Sequence, residues 1–326
     1  MGIKGLRSLL KKEFKNEPFE ENVHFSYFEN KKIVIDASLY ICRFKATFKE
    51  NFEDAFINMI TSFLKNKIIP IFIFDGTAPI EKSKERKARS DRKAAHTSHI
   101  VKLENDLQIY SNTKHISDDL WTVNNSVFQS KLIPNQQFFS LAKVKAHITK
   151  LRSNVLDVTT HDFAALRNIL KTYEIPQYTA EGEAEMLCSV FVKNGLADAV
   201  LTKDTDVLAS GAHTMLCDMN LRTHEFTMIK LEKLLDKLNL EYESLLDLCI
   251  MCGTDFNNNI PNVGPVRSLA YIQKYKTLET VSEHIDTTCL SYHRTRDIFK
   301  NSEKCPTDLS SIEQVNVNAL FEKVKK

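Results

Sequence analysis

Ile71-Phe72-Ile73-Phe74-Asp75 is an unbroken apolar run that stops on a carboxylate. Ile33-Val34-Ile35-Asp36 has the same form, and Ala199-Val200-Leu201-Thr202 is followed at once by Asp204 and Asp206. Short apolar, β-branched runs read as strands. Longer helical patterns lie between them, at 52–66 and 161–173. Strands alternating with helices predict an α/β fold with a mainly parallel sheet. Ligands of such sheets bind outside the carboxyl ends of the strands, so three segments far apart in sequence bring acids to one rim. Beyond Leu201 the pattern predicts a small hairpin at 215–229 and helices at about 231–239, 242–252 and 265–275.

The chain has 326 residues, enough for one large domain or two modest ones, and its 43% apolar content is ordinary for a globular protein. A formal net charge of +2 does not exclude a nucleic-acid binder, because a basic face is cancelled in the sum by an acidic cluster elsewhere. The seven cysteines have no framework spacing and no signal peptide opens the sequence, which points to an intracellular, reducing compartment. Cys249 and Cys252 form a CxxC within an apolar helical run and are expected to be core residues, not a redox or zinc site. No apolar stretch reaches the ~18–20 residues that span a bilayer, so no membrane is expected. Met1-Gly2 fails as a myristoylation signal because Leu6 stands where Ser or Thr is needed.

Seven acids stand out: Asp36 and Asp75 at strand ends, Glu183 and Glu185 in EGEAE, Asp204 and Asp206 in TKDTD, and Asp255 in CGTDF. Each i, i+2 pair puts two carboxylates near one another at an element end. Magnesium takes oxygen ligands, and two such ions need several carboxylates between them. Paired ions activate water and stabilise the leaving oxygen of a phosphodiester. Any one Asp at a strand end is more often a cap or turn former, and Glu181 is assigned the bland role of favouring a helix start. The joint pattern carries the metal reading. No Ser–His or Cys–His pairing suggests a covalent nucleophile.

The stretch KSKERKARSDRK, residues 82–93, carries seven Lys or Arg against two acids. At helical spacing Lys82, Arg86, Arg89 and Lys93 share one face, a clamp for phosphates if it is not merely a solvated surface. From about 111 to 140 the chain is polar and aperiodic. The stretch 82–150 is therefore expected to be an insertion projecting from the sheet and partly mobile. Further on, 249–275 reads helix, turn, helix, with Pro265 well placed at a helix start and Gly264 allowing close approach of a phosphate.

The opening MGIKGL, VIDAS at 34–38, IFIFDG at 71–76, EGEAE, TKDTD, and LCIMCGTDF followed by IPNVGP together resemble the 5′ nuclease superfamily: flap endonucleases, related exonucleases and Holliday-junction resolvases. The resemblance covers most of 1–100 and 145–275. It implies a PIN-like twisted sheet flanked by helices, with a helical arch and a C-terminal helix–turn–helix that grips duplex DNA. The expected organisation is a nuclease domain over 1–240, with the arch insertion at about 80–150, and a helical duplex-binding region over 241–326. Asp36, Asp75, Glu183 and Glu185 would hold one Mg2+, and Asp204, Asp206 and Asp255 the second, with Mn2+ able to substitute. Lys82 and Arg89 match the basic pair that steers the scissile phosphate. Arg92 and Lys93 match further basic residues of that helix, and Arg86 is left as a generic electrostatic contact. Gly2 matches a glycine near the DNA junction, and Arg267 a phosphate contact. The family often holds K+ at the helix–turn–helix loop, although Asn262 stands where a glycine is usual. Cys42 occupies a position that is aromatic in the family. Gln314, Val317, Leu320 and Phe321 have the spacing of a sliding-clamp motif or of a packed terminal helix. The surplus at 106–142 either enlarges the arch or is a loop without a role.

The function so implied is metal-dependent cleavage of flapped or branched DNA, in the nucleus or at a viral replication site. A 5′–3′ exonuclease, a junction resolvase and a non-catalytic scaffold of the same fold are the alternatives. Scaffolds tend to lose metal carboxylates, and all seven positions are acidic here.

Overall fold

The computed structural model describes residues 2–15, 17–128, 139–153, 155, 158–313 and 315–324. They form two compact units, residues 1–82 with 159–326, and residues 83–158.

The first unit is built on seven strands: β1 (Glu21–His24), β2 (Lys32–Asp36), β3 (Ile69–Phe74), β4 (Gln177–Thr179), β5 (Ala199–Leu201), β6 (Thr214–Asn220) and β7 (Glu225–Lys230). Their spatial order is β1-β7-β6-β5-β2-β3-β4. The five from β6 to β4 run parallel, and β7 and β1 add an antiparallel edge. The three runs read as strands lie side by side in the middle of the sheet, and every residue of β3 and β5, and all of β2 after Lys32, is buried. In register, Asp36 lies opposite Ile73 and Ile35 opposite Leu201, so these strands finish together at one rim. The edge strands β1 and β4 escaped the sequence reading: with half-exposed residues throughout, they lack an apolar run.

Helix Ala184–Lys193 packs on β2, β3 and β5, while Ala37–Phe48 and Phe52–Lys65 pack against β3. Helices Leu231–Leu238, Tyr242–Cys252 and Pro265–Tyr275 lie where the periodicity puts them, and β6 with β7 forms the expected hairpin. Residues beyond 240 share the core of the sheet: Leu246, Ile272, Val281 and Ile298 belong to the same apolar cluster as Val34, Ile71 and Val200. Cys249 and Cys252 are fully inside that cluster with free thiols, as expected. Asp247, 2% exposed, is locked to Arg296, whose guanidinium also pairs with Glu279, and this ties three helical segments together.

The second unit consists of helices Ser83–Thr113, Asp118–Phe128 and Leu141–Ser153 around a small core of Ile100, Leu103, Leu120, Val123, Val144 and Ile148. This corrects the aperiodic reading of 111–140. Among the described side chains of the middle helix the buried apolar ones are Leu120 and Val123, three residues apart, too short a stripe to register as a period. Ser117 starts it, accepting from the Leu120 N–H. Trp121 stacks edge-on against Phe139 at 5.6 Å. The remainder of that stretch, 129–138, lies outside the described residues.

Candidate metal centre

The rim of the parallel sheet collects the acids. Asp36 caps helix Ala37–Phe48, its Oδ1 accepting the Leu39 N–H at 3.0 Å, while its other oxygen accepts from Thr202 Oγ1 at 3.2 Å. The capping role and the rim position coexist in one residue. Asp75 follows β3 and accepts the Ala184 N–H at 2.8 Å. Glu183 and Glu185 stand at the start of helix Ala184–Lys193. Asp204 accepts the Asp206 N–H at 3.0 Å, and Asp255 follows helix Tyr242–Cys252.

Two groups converge. Carboxylate oxygens of Asp75, Glu183 and Glu185 lie within 4.8 Å of one another, and so do those of Glu185, Asp204 and Asp206. Glu185 belongs to both. Asp36 and Asp255 stand outside the two triads. The Asp36 carboxyl is nevertheless pushed up to about 7 by burial and by the charge of Asp75. Burial, followed by the charge of Asp204, lifts Glu185 and Asp206 well above the usual carboxylate range, and burial lifts Asp204. Both Asp206 oxygens are buried and have no hydrogen-bond partner among the described residues. Leaving a carboxylate so costs several kcal/mol unless a proton or a cation attends it. The donor set is entirely oxygen, which suits a hard divalent cation.

Lys82 is the cation within the cluster. It ends the 3-10 turn Ile80–Lys82, 8% exposed, in direct contact with Glu183 and at 3.7 Å from Glu185 and 3.8 Å from Asp255. Burial alone would lower its pKa, but the charges of Glu185 and Glu183 more than offset that and hold it protonated. The placement corrects the expected single face. Lys82 precedes helix Ser83–Thr113 and is buried, whereas Arg86, Arg89, Arg92 and Lys93 lie on that helix and are exposed. The break follows from the turn at Pro79, whose carbonyl accepts the Lys82 N–H at 3.1 Å. Within its own unit, Arg89 and Arg92 both approach Glu85, at 3.7 and 2.9 Å.

The N-terminal segment links this rim to the turn between helices Tyr242–Cys252 and Pro265–Tyr275. A Cβ on Gly2 would fall 2.2 Å from Asp204 Oδ1, so only glycine fits there. Ile3 N–H donates to Thr205 Oγ1 at 2.9 Å and Lys4 N–H to the Gly253 carbonyl at 2.9 Å. Lys4 Nζ reaches Asn259 Oδ1 at 3.1 Å. In the turn, Asn262 takes the left-handed conformation, φ 61°, that glycine would otherwise supply. Arg267 donates to its carbonyl at 2.7 Å. Gly264 caps helix Pro265–Tyr275 with nothing within 4 Å of where a Cβ would stand. Cys42 is exposed and Tyr40 fully buried. In the terminal helix Val317–Val324, Leu320 is buried, and Gln314 lies outside the described residues.

Sequence reasoning missed Thr202 and Thr205, which hold Asp36 and the N-terminal segment, and it missed Glu303. The Glu303 carboxylate, 7% exposed, accepts the N–H groups of Glu181, at 3.1 Å, and of Gly182. No local pattern marks it.

An α/β sheet whose strand ends gather acids into two adjoining oxygen triads has the donor set for hard divalent cations at that rim, as a class of phosphate-ester hydrolases requires. The family models sharpen this. Residues 1–96 match the XPG N-terminal domain and residues 174–255 the XPG I-region, together over half of the chain. The chain belongs to the XPG/RAD2-like 5′ nuclease family. It is 29% identical to a probable RAD2-like endonuclease of Invertebrate iridescent virus 6, over 92% of this chain and 80% of that one. It is 26% identical to flap endonuclease 1 of Micromonas commoda, over 94% and 76%. Among solved structures it resembles the catalytic core of Rad2 in complex with DNA substrate, with a TM-score of 0.62 at 18% identity over 93% and 88% of the two chains. It also resembles flap endonuclease-1 from Methanococcus jannaschii, with a TM-score of 0.55 at 20% identity over 94% of each. Among the described residues no helix is long and apolar enough to cross a membrane.

Proposed function

We propose that the protein is a structure-specific 5′ nuclease that hydrolyses phosphodiester bonds at 5′ flaps or branched DNA junctions during replication, repair or recombination. The two triads sharing Glu185, with both Asp206 oxygens unpartnered, carry the reading. Asp75, Glu183, Glu185, Asp204 and Asp206 would hold two Mg2+ or Mn2+ ions, with Asp36 and Asp255 as outer acids. When bound, the ions would supply an activated water and charge stabilisation for the leaving oxygen. Water would add to phosphorus and the P–O3′ bond would break, the leaving 3′ oxygen taking up a proton, so that the products are a 3′-hydroxyl and a 5′-phosphate. Lys82 offers its ammonium to the reacting phosphate and balances charge that builds on it.

On the helix Ser83–Thr113, Arg89 would contact the single strand's phosphates, with Arg86, Arg92 and Lys93 adding electrostatic attraction. Residues 241–326, through Gly264 and Arg267 at the start of helix Pro265–Tyr275, would hold the duplex, and Gly2 would lie at its junction. A K+ ion at this loop would be held by backbone oxygens of the turn, beside the Asn262 carbonyl to which Arg267 donates. Engagement of a sliding clamp by 314–321 would require Leu320 to leave the core. The site of action would be the nucleus or a viral replication site.

The test is cleavage of a 5′-labelled flap duplex in magnesium beside Asp206→Ala, with single-strand, blunt-duplex and four-way-junction substrates in parallel. Cutting near the flap base that EDTA and the substitution both abolish sustains the reading. Predominant cutting of the four-way junction would move it to a resolvase. Binding without cutting in magnesium or manganese would leave a scaffold.

A further inference from the structure

Residues 180–184 carry Glu183 and lead into Glu185, the acid that joins the triads, and each N–H but that of Glu183 goes to an acceptor outside the segment. Ala180 donates to the Phe74 carbonyl at 2.9 Å and Ala184 to Asp75 Oδ1 at 2.8 Å. Between them, Glu181 and Gly182 both donate to the one carboxylate of Glu303. The carbonyls of Glu181 and Gly182 face the other way, accepting from Thr77 and Gly76 at 2.8 Å each. The segment is therefore gripped on one edge by the chain after Asp75 and on the other by a side chain some 120 residues downstream. The fit is close: a Cβ on Gly182 would come 3.1 Å from Glu303 Oε1. A buried acid with two charge-assisted bonds to adjacent amides fixes that backbone more firmly than neutral acceptors would.

We infer that Glu303 is a positioning residue for the metal-holding carboxylates: its grip on the Glu181 and Gly182 amides sets where Glu183 and Glu185 stand. The inference rests on the nuclease reading above. Outer groups that orient ligands commonly change metal affinity by about 10–100-fold when removed. Glu303→Gln keeps the shape but presents one oxygen and one N–H2 to two donors, so one amide loses its acceptor.

The experiment is calcium binding to the full chain by titration calorimetry, with magnesium titrations of flap cleavage. Lys304→Ala, an exposed neighbour, is the control. Glu303→Gln is expected to weaken calcium binding and raise half-saturating magnesium by about 10-fold, with KM for the flap at saturating magnesium unchanged and Lys304→Ala like wild type. A folded Glu303→Gln protein with wild-type calcium affinity and magnesium dependence would overturn the inference. If that variant does not melt cooperatively, Glu303→Asp, which keeps the charge one methylene short, decides by the same two readouts. A wild-type protein that binds calcium but cuts nothing fails the nuclease reading, and the calcium comparison still judges Glu303.

Discussion

The Lys82 ammonium stands 3.7 Å from the Glu185 carboxylate, the one acid shared by both triads, and it also touches Glu183. A single lysine thus holds the centre of an acidic cluster that otherwise repels itself. Replacing Lys82 by Ala or Met leaves those acids without their buried counter-ion, a kind of loss that costs about 3–5 kcal/mol when nothing compensates. The expected result is a lower melting temperature in EDTA, partly restored by magnesium, together with flap cleavage slowed by about 100-fold or more. Thermal melts with and without magnesium, beside single-turnover cleavage, check both halves. Cleavage at the wild-type rate would remove Lys82 from the reaction.

Asp206 should show the opposite sign in stability. Among the described residues its two oxygens are buried without hydrogen-bond partners, so the metal-free protein bears much of their desolvation. Asp206→Ala is expected to stabilise the metal-free protein by about 1–3 kcal/mol, to gain less than wild type from added magnesium, and to lose cleavage. Chemical denaturation in EDTA and in magnesium measures the two differences. A destabilised variant in EDTA would mean that a hydrogen-bond partner already satisfies the carboxyl group.

The pH dependence follows from the same acids. Burial lifts Asp36 to about 7 and takes Glu185 and Asp206 well above their ordinary range. Unfolded, these groups lose their protons near pH ~4. Between the two values the folded state binds more protons than the unfolded one, so stability falls as pH rises. The metal-free protein is therefore expected to melt lower at about pH 8 than at about pH 5, by a few kcal/mol in stability. Metal binding needs the ionised forms, so magnesium should reverse part of the trend, and its affinity should rise with pH. Melts across that range, with EDTA or magnesium, read the slopes directly. A metal-free stability that rises with pH would show these acids to be ionised in the fold.

These effects also explain what could be read in the sequence. β2, β3 and β5 were legible because strands covered on both faces are continuous apolar runs, and Asp36 and Asp75 were legible because they interrupt those runs at the strand ends. Pairs such as Glu183 with Glu185 added the convergence. The edge strands β1 and β4, half exposed, gave no such contrast. Among its described side chains, helix Asp118–Phe128 offers its small core Leu120 and Val123 as buried apolar contacts. Lys82 sits in a basic run whose spacing suggested one helical face, and only the turn at Pro79 takes it off that helix and into the cluster. Glu303 is a lone acid whose partners are backbone amides some 120 residues earlier, a relation that no local spacing encodes.

Gly5 offers a test of the link between the carboxylate rim and the helix–turn–helix. It adopts φ 67°, and a Cβ there would meet Pro265 Cγ at 2.7 Å, at the first residue of the helix proposed to hold duplex. Gly195 has nearly the same φ, 70°, with nothing within 4 Å. Both alanine substitutions place a side chain in the left-handed region at about 1–2 kcal/mol, so they should share that loss of stability. Only Gly5→Ala must also shift Pro265 or the segment that runs back through Lys4 and Ile3 to Thr205. Gly5→Ala is therefore expected to weaken duplex binding and slow cleavage, while Gly195→Ala lowers the melting temperature and leaves both unchanged below it. Fluorescence anisotropy on a flap duplex in calcium, followed by cleavage in magnesium, separates the two. Equal behaviour of the variants would mean that the start of helix Pro265–Tyr275 takes no guidance from the N-terminal segment.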